Sequence, residues 1–170
     1  MLSAYLVRLV EQHASALTGE LVDDLLHNER TPTFHTLSRD ELHHRLLGIY
    51  SHIGEWLADT SDASIEARFE ALGKQRFHER VPLSELVYSI GLTKQHLRDK
   101  LRDVGNVYSA MELHNEIQLS MMIGRFFDKV LYALVRGYET AQHDAEHPTR
   151  PSTQSKTPLE KSPAKIEWVP

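Results

Sequence analysis

The 170-residue chain contains no cysteine. That excludes a disulfide framework, a zinc–thiolate site, an iron–sulfur cluster and a cysteine nucleophile. Proline is scarce in the body, where only Pro32 and Pro82 occur before residue 148. No apolar run approaches the roughly 20 residues that span a bilayer. The opening MLSAYLVRLVEQHASAL meets a carboxylate at Glu11 and lacks the basic start of a secretion signal. A cytoplasmic protein with no membrane partner is therefore expected. Neither sign of charge dominates, and a formal charge of -5 argues against a surface built wholly to hold phosphates. Catalytic signatures are missing as well. There is no G-x-S-x-G, phosphate-binding loop, dinucleotide-binding glycine pattern or His-Glu-x-x-His. Ser84 falls in the first turn of a helix, where serine is usually a cap. We expect no enzyme, no catalytic residue and no cofactor.

What is present is helical periodicity. A hydrophobic content of 41% and a charged content of 25% suit one soluble domain with a real core. The 3.6-residue pattern predicts an all-α fold of about five helices with a long C-terminal helix, either a bundle or globin-like. Leu2, Leu6, Leu9 and Val10 begin a first helix that Leu17, Leu21, Leu25 and Leu26 continue past Gly19, with a bend there. Pro32 ends it. Ser38 and Glu41 form a capping box for a second helix carrying Leu42, Leu46, Ile49, Ile53 and Trp56. A third runs over about 64–80, with Ile65, Phe69, Leu72 and Phe77 apolar.

The stretch PLSELVYSIGLTKQHLRDKL, residues 82–101, has two readings. As a helix-turn-helix, Gly91 makes the turn, and Lys94, Gln95, His96, Arg98 and Lys100 face a DNA groove. As one helix, Pro82 occupies the start and Leu83, Leu86, Val87, Ile90, Leu97, Leu101 and Val104 form a single stripe. The stripe keeps its phase through Gly91, and Glu85, Asp99 and Asp103 dilute the positive charge. We therefore expect a continuous helix, with Gly91 a close-packing point and DNA an unfavoured partner. Lys94 lies within the stripe, where a pair with Glu112 or Glu116 is conceivable and snorkelling to water is favoured.

The last helix, from about 108 to 143, carries a main stripe of Leu119, Ile123, Phe126, Phe127, Val130, Leu134 and Tyr138. A second stripe, Ile117, Met121, Leu131 and Val135, widens the apolar arc past half the circumference. Such a helix is central to a bundle or shared with a second subunit, so these four residues are the candidate homodimer interface. Eleven histidines invite a metal. Only His143 and His147 have the i, i+4 spacing of a helical pair of ligands, and they sit beside Pro148. His96 is the candidate haem ligand.

Residues 144–170 read as a disordered tail rich in proline, serine and lysine, leaving 1–143 as the helical domain. Ile166, Trp168 and Val169 near its end form a candidate docking motif.

Four segments in order carry a family resemblance: LVEQHASALTGELVDDLL, LSRDELHHRLLGIYSHIGEWL, ARFEALGKQRFHERVPLSELVYSIGLTKQHL and RFFDKVLYALVRGYE. Together they resemble the N-terminal domain of RsbR-type proteins, the anti-sigma-factor antagonists of the bacterial stressosome, a module also joined to some histidine kinases. The most specific parts are the junction from Arg80 to Leu86 and the helix FFDKVLYALVRGYE. The resemblance implies an all-α sensory domain without haem, dimeric through its helices, relaying an input to a partner in bacterial signalling. No phospho-accepting domain or kinase core follows in these residues. A free-standing regulatory or scaffolding protein is therefore expected.

Overall fold

A computed structural model describes residues 2–58, 62–104 and 109–147. Among the described residues there are seven α-helices, one 3-10 segment and no strand. The helices are α1 (Leu2–Gln12), α2 (Ala14–His27), α3 (Arg39–Ser51), α4 (Ile53–Ala58), α5 (Asp62–His78), α6 (Leu83–Val104) and α7 (Ala110–Glu146). The 3-10 segment, Pro32–Thr36, follows α2. The expected all-α architecture with a long final helix is present.

Two of the five expected helices are divided, each at a histidine. The first breaks at His13 rather than bending at Gly19, and His13 N–H is shared between the Leu9 and Val10 carbonyls. α1 then packs on α4, where Glu11 Oε1 accepts the Gly54 N–H at 2.9 Å. The second ends at Ser51, whose hydroxyl donates to the Leu47 carbonyl at 3.0 Å. Such back-bonding competes with the helical ladder. Ser38 caps α3 by accepting the Glu41 N–H at 3.1 Å. Only this half of the capping box forms, because the Glu41 carboxylate pairs with Arg45. At the start of α7, Ser109 Oγ accepts the Glu112 N–H at 3.2 Å and donates its own proton to the Glu112 carboxylate at 3.0 Å.

α5 and α7 form the most extensive helix pair, and two glycines permit it. A Cβ on Gly73 would lie 2.0 Å from the Leu134 carbonyl oxygen. One on Gly137 would lie 2.0 Å from that of Glu70. Both obstacles are backbone, so neither can move aside without separating the helices. Around this contact Ile65, Phe69, Leu72, Ile123, Phe126, Val130 and Leu134 are buried, and Trp56 stacks on Phe126 at 5.5 Å.

α5 ends where Arg80 adopts a left-handed conformation, φ 61°. The Val81 N–H returns to the Arg76 carbonyl, a six-residue closure typical of a helix C-terminus. Tyr138 of α7 donates to the Val81 carbonyl at 2.9 Å, which pins this junction to the long helix. The expected break after Val104 and the loop near residue 60 lie outside the described residues.

Candidate functional site

α6 runs unbroken from Leu83 to Val104. There is no turn at Gly91, so the two-helix geometry of a DNA reader is absent from this stretch. Leu86, Ile90, Leu97 and Leu101 face the core. Gly91 does not close-pack, contrary to expectation: it is exposed, and a Cβ there would meet nothing within 4 Å. Its outer position follows from helical phase, one residue from the Ile90 ridge and three from Lys94.

The outer surface of α6 therefore carries Gly91, Lys94, Gln95, Arg98, Asp99 and Arg102 along one groove. α7 runs beside this surface and receives two of its side chains. Lys94 Nζ reaches Asp128 Oδ1 at 2.8 Å, and Arg98 Nε donates to Ser120 Oγ at 3.1 Å. Lys94 thus snorkels to an exposed carboxylate, and that carboxylate is neither Glu112 nor Glu116. The two contacts run in opposite senses along the chain, so α6 and α7 are antiparallel here.

The second stripe of α7 divides into two parts. Ile117 and Met121 are 49% and 48% exposed, whereas Leu131 is partly buried against the core and Val135 is of intermediate exposure. Met111, Leu113 and Met122 add to the exposed apolar surface at 75%, 49% and 42%. Leu113, Ile117 and Met121 follow one another at i, i+4, so they form one ridge. Gly124 continues the row and, like Gly91, has open space where a Cβ would stand. A row of large apolar side chains is thus left uncovered beside the cations of α6 and a bare glycine. Met111 and Met122 escaped the sequence reading because they fall outside the row of Ile117 and Met121, whereas Leu113 was missed although it lies in phase with them.

His96 is largely enclosed, its side chain 10% exposed, and both ring nitrogens have neighbours. Tyr50 Oη lies 2.6 Å from Nδ1, and Glu20 Oε2 lies 3.4 Å from Nε2. Burial pushes the Tyr50 hydroxyl pKa up, with Glu20 and Asp24 adding to it. The phenol therefore keeps its proton, and the hydroxyl and the imidazole share one hydrogen bond at Nδ1. Lys100 Nζ, 2.6 Å from Glu20 Oε2, holds that exposed carboxyl below its ordinary range. An axial bond to iron would have to displace Tyr50 or Glu20. Tyr50 is fully buried, and the sequence reading missed it although it lies in phase with Leu46 and Ile53.

The His143 and His147 rings lie at the end of α7 with centroids 4.7 Å apart and planes tilted by 53°. Among the described residues, no group of three potential metal-ligating side chains occurs. No helix among them is long and apolar enough to cross a membrane. α7 extends to Glu146, beyond the expected boundary at 143. Ile166, Trp168 and Val169 lie outside the described residues.

The family model of the RsbT co-antagonist protein rsbRD N-terminal domain matches residues 15–148. Searches of curated proteins and of solved structures returned no match. The matched span begins at the start of α2 and reaches the end of α7, so α1 precedes it. It contains the junction at Arg80, the close α5–α7 pair and the exposed ridge of α7. The chain belongs to the RsbRD N-terminal domain family and is a sensory or regulatory module of the RsbR kind.

Proposed function

We propose that this chain acts in the bacterial cytoplasm by protein–protein contact rather than by catalysis, and that it self-associates through the outer face of α6 and α7. The observation that carries the reading is the exposed ridge Leu113, Ile117 and Met121. An apolar row of this kind on a soluble helical domain favours a covered state. The row from Leu113 to Leu131 is roughly 27 Å long at 1.5 Å per residue. Crossing its copy about a two-fold axis would set the cations of one α6 beside the apolar ridge of the partner. A downstream signalling protein would then read the arrangement of the pair. Ile117 and Met121 are the interface residues of this proposal, while Leu131 serves mainly the core.

Light scattering tests it. Wild-type protein should have twice the chain mass, and the double variant Ile117→Asp, Met121→Asp should be monomeric with its helical circular dichroism and Tm retained. A monomeric wild type, or a variant that stays dimeric, contradicts the proposal.

A further inference from the structure

Beneath the 3-10 segment lies a cavity of about 40 Å3 where α3, α5, α6 and α7 meet. Its wall is mostly hydrocarbon, with Phe34 as the roof and Leu46, Leu72, Val81, Ile90 and Leu134 below. Polar side chains also reach the wall, and their pairing decides what the cavity can hold. Ser89 Oγ donates to the Leu86 carbonyl and Thr93 Oγ1 to the Ser89 carbonyl, both at 2.8 Å. Thr33 gives its N–H and its hydroxyl to the buried Glu85 carboxylate at 2.8 and 2.9 Å. Arg45 and Arg76 both pair with Glu79. Among the described residues, the one buried polar side-chain atom without a partner is Gln75 Oε1, which is not on this wall.

These contacts argue against two occupants. An anion would have to take Arg45 and Arg76 from Glu41 and Glu79, whose two carboxylates already balance them. A water needs two to four polar partners, and the hydroxyl and guanidinium donors at the wall are already given to backbone carbonyls and carboxylates. Volume then limits what remains. One water needs roughly 10–15 Å3 of such space, whereas an apolar cavity of about 150 Å3 takes benzene. A space of 40 Å3 lies between them and suits about two or three heavy atoms.

We propose that the cavity beneath the Pro32–Thr36 segment is a binding site for a small, uncharged, apolar molecule of the size of a dissolved diatomic gas. Entry is through the roof. Phe34 and Leu37 are only partly buried, and the segment is tied to α6 by the Glu85 carboxylate. Leu134 belongs to α7, so occupancy is felt by the helix that carries the exposed ridge. The site stands independently of self-association. With so few ligand atoms the affinity is in the millimolar range or weaker.

The test uses the full chain, labelled at methyl carbons, under stepped pressures of xenon and of dioxygen. Shifts that saturate with xenon are expected at the Leu46, Val81, Ile90 and Leu134 methyls, with oxygen-induced relaxation concentrated on the same groups. Val81→Ile fills part of the space and should weaken xenon binding at least tenfold without lowering Tm. Ile90→Phe fills more of it and gives a second filled variant if the first changes packing elsewhere. Shifts that are linear and spread over surface methyls overturn the proposal. So does a folded filled variant that binds as the wild type does, or a water–methyl cross-peak from inside the cavity.

Discussion

Glu79 joins two arginines from different helices. Its carboxylate pairs with Arg76 near the end of α5 and with Arg45 of α3, and the Arg76 side chain is only 9% exposed. Burial tends to raise the Glu79 pKa, but Arg76 and Arg45 outweigh it and hold the carboxyl below its ordinary value of 4.5. A carboxyl depressed in the folded state stabilises the fold when ionised. That contribution is fully present above about pH 4.5 and is lost as pH falls through the lower folded value. Glu79→Gln should therefore cost about 2–3 kcal/mol at pH 7, because it leaves a buried guanidinium without its counter-charge. Urea melts should show the gap from wild type closing as pH drops below 4.5. A gap that is constant with pH would mean the carboxylate charge is not what matters. None of this network is visible in sequence periodicity. Arg45, Arg76 and Glu79 look like ordinary solvated charges until α3 and α5 are brought together. Glu85 is similar: by sequence it only diluted positive charge, yet it anchors Thr33.

At the scale of elements, apolar spacing served well where a helix keeps one face to the core. Leu86, Ile90, Leu97 and Leu101 of α6 and the main stripe of α7 lie where their phase placed them, and Pro82 precedes the first residue of α6. Helix breaks were less readable. His13 and His52 are neither proline nor glycine, and tertiary packing of α1 and α4 decides the direction of the chain there. Glycine was the other weak point, because spacing alone cannot distinguish an open outer face from a backbone contact. The two cases predict opposite outcomes. Gly137→Ala drives a Cβ into the Glu70 backbone and should lower stability by about 3 kcal/mol, roughly 10 °C in Tm. Gly91→Ala adds a methyl to open space in mid-helix and should raise stability by about 0.5–1 kcal/mol. Thermal melts of the pair check both. A stable Gly137→Ala variant would mean that α5 and α7 are not in close backbone contact.

For the whole molecule, the order of four helical segments identified the family, while the exposed ridge needed the structure. A wide apolar arc on α7 fits either a central helix or a shared one. Burial separates the two: Leu131 packs inward, whereas Ile117 and Met121 are left uncovered beside the cationic groove of α6. The cysteine-free sequence makes this surface directly accessible to experiment. Single cysteines can be placed along the row at Leu113, Ile117, Met121, Gly124 and Asp128. Others at Glu29 and Asp40, exposed positions on different elements, serve as controls. An association that crosses this row about a two-fold axis brings at least one position close to its own copy, within disulfide reach. Under mild oxidation, the account predicts rapid intermolecular disulfides at one or more adjacent positions of the row and none at the controls. Cross-linking absent from the row, or equally fast at Glu29 and Asp40, would contradict it.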